Sequence, residues 1–265
     1  MNLIETLQNL EPLFIKAGAL ACKMQKGVKQ YNKFNTGNPI SDIVTEADLA
    51  VQELLLQAMS KTGLVDCFLM AEEKTPLTNR FNKQGKYYLA IDPIDDTAIY
   101  AKNGKFFSQI ISLHDGKNFL YMFCQFPALN WIHKVVNNNY SVSGQTPYFS
   151  LPSQAKNTLV YWSGDPEKNI PKELFTKLRD KGLNFSQIKS LSQDVGSIAM
   201  LASNRVAGVY QEDMNVYDGL TEYNIGLAKG LEVHAKGAGG RVDLLNIQQR
   251  ATGLYYPGYC LELIG

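Results

Sequence analysis

The amino-acid sequence predicts a mixed α/β (α+β) fold built from two subdomains, and three observations lead to this prediction. Apolar residues recur at helical spacing near the N-terminus. From Phe68 onward, short apolar runs end in acidic residues, as strands do at the ligand-binding edge of α/β proteins. The 265 residues lie at the upper end of what one core serves, and a polar stretch near residue 150 separates 1–150 from 151–265.

The first half of the chain is predicted to form two helices followed by strands. One helix spans about 3–30, and Pro12 is expected to kink it or split off its first turns. After a loop over 31–40, the second helix spans about 45–59, with Thr45 and Asp48 as a capping box. Strands are expected at 68–70, 87–91, 107–113, 119–126 and 131–136.

The second half repeats the alternation of strands and helices. Strands are expected at 159–162 and 207–210, and helices at 172–181, 196–203 and from Asp218 to about 229.

Composition excludes several classes of partner. Lys and Arg total 26 and Asp and Glu total 25, so the near-neutral chain offers no basic footprint for nucleic acid or a membrane surface.

The four cysteines form no C-x-x-C pair, which argues against zinc and disulfides and favours buried thiols in a reducing compartment. With neither a signal peptide nor a run of ~20 apolar residues, the sequence predicts a cytoplasmic protein.

An acidic segment, residues 92–97 (D-P-I-D-D-T), directly follows a predicted strand. Crowded carboxylates repel one another, so they are either well solvated or hold a cation. Oxygen ligands of this kind suit Mg²⁺ or Ca²⁺. By itself the segment is consistent with a metal site or with a capped turn.

Five segments together resemble the inositol monophosphatase family. They are D-I-V-T-E-A-D at 42–48, A-E-E at 71–73, D-P-I-D-D-T at 92–97, G-S-I-A at 196–199 and Y-D at 217–218. Their order and spacing are similar to those of the family, and the resemblance extends over about residues 5–240.

This resemblance implies a sugar-phosphatase-like αβαβα sandwich that binds two or three Mg²⁺ ions and hydrolyses a small phosphorylated metabolite, in a family that often forms homodimers. The implied metal ligands are Glu72, Asp92, the Ile94 carbonyl, Asp95 and Asp218. The implied catalytic residues are Asp48, Glu72 and Thr97, of which Asp48 and Thr97 orient the attacking water. The implied substrate-binding residues are Asp95, Asp96, Thr97, Gly196, Ser197, Glu212 and Asp213.

Two departures from the family pattern concern the surroundings of the phosphate. Asp96 replaces a glycine, and its carboxylate either repels the phosphate or points away and caps the helix that starts there; we expect the cap. Leu220 and Glu222 stand where the family has small residues. The implied metal ligands are retained, so an active enzyme with an unusual substrate is the favoured interpretation.

Two other functions stay open. The stretch K-N-G-K-F at 102–106 resembles the related 3′(2′),5′-bisphosphate nucleotidases, and Asp96 with Glu222 keeps open a weakened metal-binding or interaction protein. A Ser-His-Asp hydrolase fits poorly because G-x-S-x-G is absent and the three histidines are interpreted as structural. The glycine-rich stretch 237–240 lacks the spacing of a nucleotide-binding loop and is interpreted as a turn.

Overall fold

The computed structural model describes residues 2–32, 43–236, 241–250 and 253–265, and it contains helices and strands in alternation. The helices are Leu3–Met24 (α1), Glu46–Met59 (α2), Thr97–Ala101 (α3), Pro166–Asn169 (α4), Lys172–Asp180 (α5), Ile188–Leu191 (α6), Ser197–Ala202 (α7) and Gly219–Lys229 (α8). The strands are Gln30–Asn32 (β1), Ile43–Thr45 (β2), Phe68–Ala71 (β3), Tyr88–Asp95 (β4), Ser108–His114 (β5), Phe119–Phe126 (β6), Trp131–Val136 (β7), Asn139–Ser143 (β8), Thr158–Tyr161 (β9), Asn184–Gln187 (β10), Gly208–Asn215 (β11), Glu232–Ala235 (β12), Gln248–Arg250 (β13) and Gly253–Leu263 (β14).

The first two helices begin at side-chain caps that the sequence specifies locally. The Asn2 side chain accepts hydrogen bonds from the first free N–H groups of α1. This helix continues through Pro12 as one element and ends at Met24, so the expected split at Pro12 is wrong. The capping box at the start of α2 is confirmed. The Thr45 side chain accepts the backbone N–H of Asp48, and the Asp48 side chain accepts the backbone N–H of Thr45.

Two large sheets and three helical layers form the fold. One sheet has the order β3-β4-β5-β6-β7-β8, and the other has the order β10-β9-β11-β14-β12 with β13 paired to β14. Helices α1 and α2 pack on the first sheet, where Phe14 and Leu55 share a core with Ile111. Helices α7 and α8 lie between the sheets, and α5 covers the second sheet through Leu178. The predicted αβαβα layering is therefore confirmed.

Strand β4 carries the acidic segment and ends in a bulge. Its register with β5 pairs Asp92 with Ile110 and Asp95 with Ser108, so the ladder is interrupted between the two aspartates. Pro93 lies inside this interruption, where its missing N–H removes no ladder hydrogen bond. The predicted strand over 87–91 therefore extends through Asp95, and the bulge brings both carboxylates to one end of the sheet.

The second sheet contains several strands that the sequence pattern did not indicate. The longest is β14, which lies between β11 and β12 in the sheet. Pro257 and Gly258 interrupt its sequence, and both residue types are unfavourable within strands. The short strands β10, β12 and β13 of this sheet and β8 of the first sheet were also missed. The three histidines lie in strands β5, β7 and β12.

The strands of the two sheets divide on either side of residues 144–157. Helices α7 and α8 share one core cluster with both sheets, for example through Ile198 and Ile225. The division into residues 1–150 and 151–265 stays a prediction. Most of the predicted loop over 31–40, Asp42 and the predicted turn over 237–240 lie outside the described residues.

All four cysteines are free thiols, as the sequence indicated. Cys67, Cys124 and Cys260 are buried and Cys22 is half-buried. Across the described residues, none of the helices combines the length and the apolar character needed to cross a membrane.

Candidate active site

Three carboxylates converge where β4 ends and α8 begins. One oxygen from each of Asp92, Asp95 and Asp218 lies within 4.8 Å of the other two. The first two side chains are buried, and Asp218 is half-buried at the N-cap of α8. Two distant segments of the chain therefore supply one compact group of oxygen donors.

The two aspartates of β4 are each held by a hydrogen bond. Asp92 Oδ1 accepts the N–H of Ile94 at 3.0 Å, which tightens the bulge. Asp95 Oδ2 accepts the hydroxyl of Ser108 at 2.7 Å, from the neighbouring strand β5. Each hydrogen bond uses one oxygen of the carboxylate and so fixes the orientation of the side chain.

Asp218 is oriented by its own turn. Its Oδ1 accepts the N–H of Gly219 at 2.6 Å, at the first residue of α8. The Asn215 side chain accepts the N–H groups of Tyr217 and Asp218 at 2.8 and 3.1 Å and so shapes the backbone that leads into the helix. The end of β11 and the start of α8 are thereby joined in one fixed turn.

Burial and mutual repulsion make this cluster unfavourable without a cation. Burial raises the pKa of Asp92 and of Asp218 well above the usual range, and the charges of Glu72 and Asp95 raise both further. Burial also raises the pKa of Asp95 to about 6, against the opposing hydrogen bond from Ser108. Oxygen donors this close fit a hard divalent cation such as Mg²⁺, whose charge would replace the protons.

Glu72 lies beside the cluster at the end of β3. Its N–H donates to the carbonyl of Ile91 at 3.0 Å, which continues the pairing of β3 with β4. The Gln52 side chain of α2 bonds both backbone groups of the next residue, Glu73, and so fixes this turn. The charge of Glu72 raises the pKa of Asp48, among others, which places it in the same electrostatic group.

Asp48 and Thr97 form a second element of the site. The N–H and hydroxyl of Thr45 both donate to Asp48 Oδ2, which leaves Oδ1 3.5 Å from the Thr97 hydroxyl. That hydroxyl also lies 3.0 Å from the Ile94 carbonyl. Burial raises the pKa of Asp48 to about 7, although the Thr45 hydrogen bond lowers it and the charge of Glu72 raises it.

Asp96 occupies the N-cap position of α3 in an unusual conformation. Its φ and ψ angles of 61° and 44° lie in the left-handed region, which glycine adopts without penalty. In the described structure its side chain accepts no hydrogen bond from the helix, so the expected cap is wrong. The carboxylate instead lies against Gly196, where an added Cβ atom would overlap it. The charges of Asp95 and Asp218 add to burial in raising the pKa of Asp96.

Comparison with known proteins agrees with this geometry. The model of the inositol monophosphatase family matches residues 5–220, which is most of the chain. The chain belongs to the inositol monophosphatase family. It is thus a member of a family of phosphatases. A separate comparison with curated proteins found no match to its sequence.

Solved structures share the fold at low sequence identity. A structure of an IMPase/NADP phosphatase complexed with Mg²⁺ and phosphate is 14% identical, with a TM-score of 0.67, covering 99% of this chain and 92% of that one. The IMPase of Thermotoga maritima is 18% identical, with a TM-score of 0.64 and coverages of 98% and 92%. A Staphylococcal IMPase complexed with products is 14% identical, with a TM-score of 0.66 and coverages of 98% and 91%.

The family resemblance also implied a set of substrate-binding residues, and the structure places them at different distances from the acidic cluster. Gly196 and Ser197 lie at the start of α7, beside Asp96. Glu212 is bonded to the segment that follows β9, and Asp213 is exposed in a bulge of β11 with φ of 49°. The site therefore gathers the implied ligands and water-orienting residues more closely than the implied substrate residues.

Three polar residues that orient the site were missed in the sequence. Ser108, Gln52 and Asn215 hold Asp95, the Glu73 backbone and the turn before Asp218, respectively. Asn215 offers a weak local signal, because asparagine often bonds the backbone two residues on. Ser108 and Gln52 act across strands and helices, so no local pattern reveals them.

Proposed function

We propose that this member of the inositol monophosphatase family is a Mg²⁺-dependent phosphomonoesterase acting on a small phosphorylated metabolite. The observation that carries the proposal is the convergence of Asp92, Asp95 and Asp218 beside Glu72. Structures with this fold include complexes with Mg²⁺ and phosphate and with D-inositol-1-phosphate. A cytoplasmic location and a homodimer stay predictions from the sequence.

The metal ligands would be Glu72, Asp92, the Ile94 carbonyl, Asp95 and Asp218. Bound Mg²⁺ would lower the pKa of water and neutralise charge that develops on the phosphate oxygens. Asp92, where the bulge begins, would be a ligand of both ions. The Ser108 and Gly219 groups would keep the carboxylates of Asp95 and Asp218 turned toward the ions.

Proton handling falls to Asp48 and Thr97. The Thr97 hydroxyl can accept a hydrogen bond from the attacking water while it donates to Asp48 Oδ1. A proton that leaves the water would pass to Thr97 Oγ1 as the hydroxyl proton moves to Asp48. A carboxyl group with a pKa of about 7 suits this role near neutral pH.

The phosphate is predicted to lie beside the start of α3, where backbone N–H groups are free of helix partners. Asp95, Thr97, Gly196 and Ser197 surround this position in the proposal. Asp96 faces the same region, so its carboxylate would reduce affinity for an anion.

Phosphate release is the direct test of the proposal. Inositol 1-phosphate, adenosine 3′,5′-bisphosphate and fructose 1,6-bisphosphate would each be assayed with Mg²⁺ and with chelator. Asp92→Asn is the test variant, and Asp66→Asn is the matched control, because it removes an exposed carboxylate of the same type. We expect turnover that requires Mg²⁺ and is lost only in Asp92→Asn.

Absence of turnover on the whole panel, together with stabilisation by Mg²⁺, would contradict the proposal. That result would favour the metal-binding or interaction protein that Asp96 and Glu222 keep open. Turnover that persists in chelator would contradict the role of the metal.

A further inference from the structure

A partly exposed tryptophan lies at the end of a strand of the second sheet. Trp162 directly follows β9, which runs parallel to β11, so both strands point toward the same edge of the sheet. Strand β11 leads into Asp218 at that edge. The Trp162 side chain is 41% exposed, although it is among the largest apolar groups of the chain.

The indole is held by a hydrogen bond to a buried side chain. Its Nε1–H donates to Ser197 Oγ at 3.1 Å, and Ser197 itself is buried. Ser197 directly follows Gly196, which touches Asp96. The bond to Ser197 therefore places the exposed ring next to the glycine that lies against the acidic loop.

The only polar group of the indole is used by this bond. Indole carries one N–H donor and no acceptor, so its exposed face offers no further hydrogen-bonding group. A polyol is recognised by hydrogen bonds, whereas a flat aromatic ring is recognised by stacking. The exposed ring therefore suits an aromatic ligand better than a polyol.

We propose that Trp162 is a specificity-determining residue that stacks on the aromatic base of a nucleoside monophosphate. This inference rests on the proposed phosphomonoesterase function and names its substrate class. The bond from its Nε1–H to Ser197 keeps the indole at the angle that the base meets.

Kinetics on matched substrates test the stacking. Adenosine 3′-monophosphate and glycerol 2-phosphate are both secondary phosphate esters, and only the first carries a base. The ratio of their kcat/KM values is expected to fall ~10-fold to ~100-fold in Trp162→Ala, the range of base–aromatic stacking. Trp162→Phe should lie between the wild type and Trp162→Ala.

Two kinetic outcomes would overturn the proposal. One is an unchanged ratio in Trp162→Ala, or an equal loss in Trp162→Phe and Trp162→Ala. The other is an equally large fall in the ratio of kcat/KM for inositol 1-phosphate to that for glycerol 2-phosphate. Trp162 would then contact any ring and would not select a base.

Fluorescence tests binding separately from turnover. The chain has two tryptophans, and Trp131 is fully buried against Phe126 and His133. Adenosine 3′-monophosphate with Mg²⁺ should quench the emission of the wild type and not that of Trp162→Phe. If no substrate is hydrolysed, the proposed function fails, yet this quenching would still support the stacking role. Emission that adenosine 3′-monophosphate leaves unchanged would overturn it.

Discussion

Replacing Asp96 should increase activity, which is an unusual expectation for a charged residue beside an active site. The residue lies in the left-handed region at φ 61°, and its carboxylate lies against Gly196, in the region proposed for the phosphate. Asp96→Asn removes the charge but keeps the shape, and asparagine tolerates this backbone conformation well. Asp96→Gly removes both the charge and the side chain.

The magnitude follows from Coulomb's law. A carboxylate about 5 Å from a phosphate charge is repelled by about 3 kcal/mol at an effective dielectric constant near 20. That energy corresponds to roughly 100-fold in kcat/KM. The raised pKa of Asp96 means that its ionised fraction increases with pH, so the gain should be larger at alkaline pH.

The assay is phosphate release from a simple phosphomonoester with saturating Mg²⁺, across a series of pH values. We expect both variants to exceed the wild type, with Asp96→Asn showing most of the gain. Unchanged activity in both variants would refute the repulsion argument. A gain in Asp96→Gly alone would show that the side chain obstructs the site by its size or its backbone conformation.

Three further predictions test the rest of the site. Asp92→Asn should abolish phosphate release and the rise of Tm with Mg²⁺, and near wild-type turnover would contradict its shared role. Thr97→Ala should lower kcat more than it raises KM, with Thr97→Ser close to the wild type; an effect on KM alone would assign the hydroxyl to substrate binding. In chelator, Tm should fall between about pH 4 and pH 7. The pKa values raised from 3.8 to about 7 for Asp48 and about 6 for Asp95 leave the folded state holding protons that the unfolded chain has released over that range. The shift of Asp48 from 3.8 corresponds to about 4 kcal/mol lost on ionisation, so Asp48→Asn should flatten the profile, and a Tm that rises with pH would contradict the linkage.

Local interactions explain why part of the site could be predicted from the sequence. The capping box of Thr45 and Asp48 joins residues three positions apart, and its geometry is determined within one helical turn. The acidic end of β4 follows from a buried apolar run that meets Pro93 and two aspartates. Order and spacing of these segments were sufficient to identify the family and the layered fold.

Asp96 shows where a local rule failed. An aspartate before a short helix normally caps it, and the sequence favoured that outcome. The contact with Gly196, from the other half of the chain, accompanies a left-handed backbone and turns the carboxylate away from the helix. A local preference of about 1 kcal/mol is easily overridden by packing of this kind.

The sequence by itself determined the family and the layered α/β fold, and through the resemblance it implied the metal ligands, because each depends on short segments whose order and chemistry are local. Only the tertiary structure decided that Asp218 meets Asp92 and Asp95, that Ser108 orients Asp95, and that Trp162 is anchored through Ser197. These contacts join residues far apart in the chain, and they form when two sheets pack against one pair of helices. No periodicity or spacing in the sequence encodes them individually.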